Sequence, residues 1–77
     1  MIITKYVIVD KNGEVVSYFD TFLGSYSTTK NLDEMLTFNS MEVAEGIAKY
    51  NSCSEREISF RAVEIQIETS WVIIDKQ

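Results

Sequence analysis

The Asn12-Gly13 pair constrains the fold of this chain more than any other feature of the sequence. It stands between two runs rich in β-branched and aromatic residues, in "YVIVDKNGEVVSYF". Asn-Gly in that setting is the strongest short-range signal of a β-hairpin. We predict a two-residue type I′ loop, because Asn and Gly both tolerate the positive φ angles that this turn requires. Such a loop fixes the register of the two strands and places Val9 opposite Val16.

Both faces of this predicted hairpin carry apolar side chains. One face has Val7, Val9, Val16 and Tyr18, and the other has Tyr6, Ile8, Val15 and Phe19. A helix should cover one face. The other face either completes a two-layer core that leaves some aromatic rings on the surface, or it binds a partner.

The stretch "FNSMEVAEGIAKYN" predicts an amphipathic helix over about residues 40–51. With Asn39 as the N-cap, Glu42 would complete a capping box, while Phe38 and Val43 would form a hydrophobic staple. The apolar stripe of the helix consists of Val43, Ala44, Ile47 and Ala48. Because the outward face is mostly acidic, we expect the helix to cover a sheet rather than to contact nucleic acid.

The run from residue 57 to residue 75 would be about 60 Å long as one strand, too long for so small a domain, so we expect it to break at residues 68–70. Val63, Ile65 and Ile67 alternate with polar residues, as in a strand with one buried face. The last strand, Trp71–Ile74, lacks this alternation and is either buried on both faces or paired with a second copy as a homodimer. The predicted fold is α+β, with an antiparallel sheet of three to four strands and one helix on one face, in a single domain spanning residues 1–77.

The composition argues against several functional classes. The chain has 77 residues, one Cys and no His, which removes the usual general base and leaves too few ligands for a structural zinc site. We therefore expect no enzyme, no metal and no cofactor. The net charge of −5 disfavours direct contact with nucleic acid, and serves either solubility or imitation of nucleic acid. No apolar run reaches the ~20 residues of a membrane span and no signal peptide is visible, so we expect a cytoplasmic protein that does not bind membranes.

Residues 21–37 are the least regular part of the chain. Gly, Ser and Thr mark a loop, and Asn31 followed by Glu34 predicts a single capped helical turn. The loop also carries Phe22, Leu23 and Tyr26. These side chains either fold back to plug the core or dock on a partner.

The steps "FNS" into an Ala-rich helix and "VE" within a strand are typical of one group of proteins. Through Phe38, Ser40, Ala44, Ile47 and Val63-Glu64, the chain resembles small uncharacterised proteins encoded by phages and prophages of low-GC Gram-positive bacteria. The resemblance covers about residues 4–67 and departs at Met35-Leu36, where Ala is more common. It brings no catalytic residues with it.

This resemblance implies a protein that acts in the host bacterial cytoplasm by binding and blocking a host protein, such as a defence nuclease or CRISPR effector. The candidate contacts are Tyr6, Phe19, Phe22 and Tyr26, with Asp20, Asp33 and Glu34 at the rim. Two other functions stay open. One is a homo-oligomeric accessory protein of phage replication or morphogenesis. The other is sequestration of a defence signalling nucleotide, whose phosphates would need basic groups such as Arg56 and Arg61, the only arginines of the chain.

Overall fold

The computed structural model describes residues 1–68 and 70–74. This part of the chain forms six strands and one α-helix, with a 3-10 helix at Leu32–Glu34. The elements are β1 (Ile3–Asp10), β2 (Val15–Asp20), β3 (Ser25–Thr29), β4 (Thr37–Phe38), α1 (Met41–Asn51), β5 (Phe60–Ile67) and β6 (Trp71–Ile74). The strands form one sheet in the order β3-β2-β1-β5-β6, and β4 pairs with β1.

All the strand pairs in this sheet are antiparallel. The α+β class and the single helix are therefore confirmed, but the predicted number of three to four strands is too low. The additional strands β3 and β4 come from the segment that was predicted as a loop. Ser and Thr dominate β3, and Thr is a good β-former when a neighbouring strand supplies the pairing.

The β1–β2 turn has three loop residues rather than the predicted two. The N–H of Gly13 donates to the carbonyl of Asp10, and the N–H of Asp10 donates to the carbonyl of Glu14, both at 3.0 Å. Gly13 has φ = +81°, as in hairpin loops where a left-handed Gly follows a turn. The physical reason lies in the Asp10 carboxylate, whose Oδ1 accepts the N–H groups of Asn12 and Glu14, each at 2.9 Å.

The longer turn shifts the strand register by one residue. Val9 pairs with Val15 and not, as predicted, with Val16. Because side chains alternate along a strand, this slip exchanges the predicted faces of Val15 and Val16. A bulge between Val16 and Tyr18 then returns Phe19 to the side of Val16.

Two apolar clusters lie on the two sides of the sheet. The cluster under α1 is built from Ile8, Val16 and Ala48, with Phe19, Tyr26, Phe38, Ile47 and Phe60 packed around it. The opposite cluster consists of Val7, Val9, Val15, Met35, Val63 and Ile65, surrounded by Leu32, Ile67, Trp71 and Ile73. Leu32 and Met35 thus cover the hairpin face that the helix leaves free. The sheet curls, so that Trp71 shares a cavity of about 410 Å³ with Val15 and the end of β3.

The helix begins one residue later than its predicted cap implies. Ser40 is the N-cap, and its Oγ accepts the N–H of Val43 at 3.3 Å. Asn39 instead accepts a hydrogen bond from Lys5 through its side chain. With Ser40 as the cap, Glu42 no longer occupies the third helical position, and the predicted capping box does not form.

The buried face of α1 follows the predicted stripe except at its first residue. Ala44 and Ala48 are buried, and Ile47 packs on the cluster under the helix. These small side chains let the helix lie close to β1 and β5. Val43 is exposed, so the predicted staple with Phe38 is absent.

The C-terminal run breaks where the sequence predicts. The N–H of Glu68 donates to the carbonyl of Ser70 at 3.0 Å, while Thr69, the middle residue of the predicted break, lies outside the described residues. β6 forms one edge of the sheet, with Trp71 and Ile73 on the cluster opposite the helix and Val72 exposed. Among residues 1–68 and 70–74, no helix has the length and apolar character that crossing a bilayer requires.

Candidate protein-binding surface

The turn between β2 and β3 presents two large apolar side chains to solvent. Phe22 is 95% exposed and Leu23 is 71% exposed. Single exposed apolar residues are ordinary on protein surfaces, but two in succession at the end of a hairpin form a small, protruding apolar patch. This patch is the candidate for contact with another protein.

The backbone of this turn is held by its own side chains and by one glycine. The Oδ1 atom of Asp20 accepts the N–H of Phe22 at 3.1 Å and the N–H of Leu23 at 3.0 Å. Gly24 follows with φ = +68°, a conformation that residues with a Cβ rarely adopt. Asp20 and Ser25 then close the hairpin as a strand pair. The exposed pair is therefore displayed on an ordered turn.

A second loop contacts the turn from residues 52–59. The Nη2 atom of Arg56 donates to the carbonyl of Gly24 at 3.4 Å. A Cβ at Gly24 would lie only 2.9 Å from Nη1 of Arg56, so the guanidinium packs directly on the glycine. This loop is itself closed by two backbone hydrogen bonds between Cys53 and Ile58, at 2.8 and 3.0 Å.

A cavity of about 280 Å³ lies between the turn, the end of α1 and this loop. Its lining includes Asp20, Tyr26, Cys53 and Arg56. Tyr50 stands at the same cavity on the last turn of the helix and is 83% exposed. The cavity joins three separate segments of the chain into one continuous surface.

The floor of this surface is a cluster of aromatic rings. Phe60 makes edge-to-face contacts with Phe19, at a centroid distance of 5.0 Å, and with Tyr26, at 4.8 Å. The Tyr26 hydroxyl donates to Oδ2 of Asp10 at 2.9 Å, and Asp10 is only 4% exposed. Burial raises the pKa of Tyr26, and the hydrogen bond to Asp10 and the negative charges of Asp10 and Glu14 raise this pKa further.

Four of the seven predicted contact residues lie together around the β2–β3 turn. Phe19, Asp20 and Tyr26 line the 280 Å³ cavity, and Phe22 stands at the tip of the turn. Only Phe22 is fully exposed. Phe19 and Tyr26 pack on the cluster under the helix, so they support the surface from below.

The other three predicted residues lie elsewhere. Tyr6 is in the middle of β1, between Phe38 of β4 and Glu64 of β5. Asp33 and Glu34 belong to the 3-10 helix, and Oε1 of Glu34 accepts the hydroxyl of Thr29 at 2.8 Å. Thr29 is at the far end of the β2–β3 hairpin, roughly 17 Å along the strand from the turn at ~3.3 Å per residue.

Leu23, Tyr50 and Arg56 belong to this surface but are not among the seven predicted contacts, although docking by Leu23 was one of the two alternatives left open for its loop. Leu23 follows Phe22 in the sequence, and its place in a Gly- and Ser-rich loop indicates that its side chain can be exposed. Tyr50 lies outside the apolar stripe of the helix, which was a weaker signal. Arg56 carries no local signal, because its contact with Gly24 joins positions 32 residues apart.

Within the described part of the chain, no group of three or more His, Cys, Asp and Glu side chains is placed to hold a metal ion. Arg56 lines the cavity beside the turn, whereas Arg61 lines a different one of about 480 Å³ between α1 and β5. Comparisons with protein-family models, curated proteins and solved structures find no match to this chain.

Proposed function

We propose that this chain is a non-enzymatic inhibitor of phage origin that binds a host protein and blocks it by occupying its surface. The observation that carries the proposal is the Phe22-Leu23 pair at the β2–β3 turn. Fully burying such side chains in a partner would contribute about 1.5–3 kcal/mol each. Because Asp20 already holds the turn, little conformational entropy would be lost on binding.

The class of target follows from the resemblance and from charge. The resemblance to small acidic phage proteins implies that the target is a host defence protein, such as a nuclease or CRISPR effector. The net charge of −5 supports this proposal, since nucleases carry basic surfaces that attract an acidic protein and speed its association. Such an inhibitor would act in the cytoplasm of the host bacterium.

The proposal is tested by affinity capture from the lysate of a Gram-positive host that carries defence systems. The wild-type chain is compared with a Phe22→Ser/Leu23→Ser variant and with Val43→Ser. Val43 is a matched control, because it is 52% exposed on α1 and takes no part in the turn.

We expect the wild type and the Val43 variant to retain one host protein in stoichiometric amount, and the turn variant to lose it. The captured protein is then purified and assayed, and its activity should fall when the wild-type chain is added. Capture that is unchanged by the turn substitutions contradicts the proposed contact. Undiminished activity of the captured protein contradicts inhibition.

A second candidate, a homodimer through β6, is favoured by the position of that strand at the edge of the sheet. Trp71 and Ile73 point to one side of the sheet and Val72 to the other. If two copies of β6 pair about a two-fold axis, residues that lie opposite each other must point to the same side of the joined sheet. Val72 opposite its own copy meets this condition. Light scattering over a range of concentrations tests it, with Val72→Lys expected to abolish any dimer.

A further inference from the structure

The β2–β3 turn and the loop at residues 52–59 are in direct contact, which suggests that they act together. We propose that the two loops form one composite docking surface, fixed by Arg56, that fits an apolar cleft with a basic rim on the partner protein. This inference rests on the proposed function and names the kind of surface that the partner must present. Arg56 acts in it as a positioning residue.

The first argument is geometric. The Arg56 guanidinium packs on Gly24 and hydrogen-bonds its carbonyl, so it ties the turn to the loop that follows α1. The same loop is held to both α1 and β5 by the hydroxyl of Ser52. This hydroxyl donates to the carbonyl of Ala48 at 2.8 Å and accepts the N–H of Phe60 at 3.0 Å. Arg56 therefore holds the turn against a supported loop, and the exposed apolar pair keeps a fixed position relative to the ring of Tyr50.

The second argument is electrostatic. Arg56 is flanked by the exposed residues Glu55 and Glu57, and Asp20 lines the cavity that Arg56 shares. The two loops therefore carry three carboxylates against one guanidinium, and that guanidinium is directed at a backbone carbonyl. Together the two loops thus carry a net negative charge, the acidic rim of this surface, which complements a cationic rim on the partner.

The same charge distribution selects a protein over a lipid surface as the partner. An anionic membrane attracts basic segments, whereas the rim of this surface would be repelled by it. Two apolar side chains on a narrow turn also match a cleft better than a flat surface, because a cleft encloses them on several sides.

The positioning role is tested first on the free protein, without any partner. Backbone 15N relaxation gives the order parameters of residues 21–24 in the wild type, in Arg56→Ala and in Lys30→Ala. Lys30 is a matched control, since it is an exposed cation just beyond the other end of β3. We expect order parameters of about 0.85 in the wild type and the control, and a measurable reduction in Arg56→Ala that stays above the value of about 0.6 for a flexible segment, because Asp20 still holds the turn. Equal order in all three proteins overturns the role of Arg56, while fluorescence of the single Trp71 confirms that each variant is folded.

The fit to a basic-rimmed cleft is tested on the host protein purified by capture. We expect a Glu55→Gln/Glu57→Gln variant to associate about threefold to tenfold more slowly, and to show a weaker salt dependence of association than the wild type. An unchanged rate and salt dependence overturns the acidic rim, as does binding of the wild type to vesicles of anionic lipid. If the wild type captures no host protein, the proposed function and the docking surface both fail, whereas the relaxation data still report on Arg56.

Discussion

The hydrogen bond between Tyr26 and Asp10 supports both the β1–β2 turn and the floor of the candidate surface, and its contribution can be measured directly. Tyr26→Phe removes the hydroxyl. Asp10→Asn keeps Oδ1 for the two backbone N–H groups but replaces Oδ2, the acceptor of the Tyr26 hydroxyl. Each substitution therefore removes the charge-assisted bond from the Tyr26 hydroxyl to a carboxylate, because the Asn amide nitrogen can donate to the hydroxyl but cannot accept its proton.

A hydrogen bond to a charged group contributes about 1.5–3 kcal/mol. Tyr26 is only partly buried, so we take the lower end, about 1.5 kcal/mol, for Tyr26→Phe. Asp10→Asn should cost about 2 kcal/mol, because the hydrogen bonds to the backbone also lose their charge assistance. In the double variant the shared bond is lost only once, so its destabilisation should be about 1.5 kcal/mol smaller than the sum of the two single effects.

Urea unfolding followed by Trp71 fluorescence measures these differences, since Trp71 is the only tryptophan and packs on the cluster opposite the helix. At a slope of about 1 kcal/mol per molar urea, Tyr26→Phe should lower the midpoint by roughly 1.5 M. A coupling below about 0.5 kcal/mol would refute the reasoning, because the two side chains would then contribute to stability independently.

Three further predictions follow from single positions. Burial and Asp10 raise the pKa of Tyr26 in the folded state, so the contribution of Tyr26 to the free energy of unfolding should be constant below the unfolded pKa of about 10 and decline as the pH rises above it. Tyr26→Phe should remove this decline, as measured by urea midpoints between about pH 8 and about pH 11. Gly24→Ala should destabilise the fold by about 1–2 kcal/mol, while Gly46→Ala, at an open helical position, should stabilise it by about 0.5–1 kcal/mol in the same assay. Gly13→Ala should cost about 1–2 kcal/mol and Asn12→Ala less than about 0.5 kcal/mol, because only Gly13 has a positive φ; equal costs would indicate the type I′ turn.

The parts of the fold that rest on local signals were predictable. The helix is found at Met41–Asn51, within the predicted range of about 40–51. The alternation of Val63 and Ile65 marks the buried side of β5, and the break at residues 68–70 is where the polar residues stand. Asn31 caps the 3-10 helix by accepting the N–H of Asp33 at 3.1 Å. In each case the physical cause lies within a few residues of the element.

The register of the first hairpin was predicted wrongly because two turn signals compete in the same five residues. Asn-Gly alone favours a two-residue loop, but Asp10 can bond the N–H groups of Asn12 and Glu14 and so favours a longer turn. The longer turn also places the Asp10 carboxylate within reach of Tyr26, a residue of β3 that the sequence did not mark as a strand. A tertiary contact thus contributes to the choice of a local turn.

In the candidate surface, too, some features follow from the local sequence and others from contacts with distant parts of the chain. The sequence left open whether Phe22, Leu23 and Tyr26 plug the core or dock on a partner, because hydrophobicity alone does not give a direction. In the structure the three residues divide between these roles: Tyr26 packs on the cluster under the helix, while Phe22 and Leu23 remain in solvent. The division follows from the turn at residues 20–24, which reverses the chain before any element can cover the two side chains. Since the described fold buries neither of them, their apolar area is available for binding another protein without any loss of folding stability.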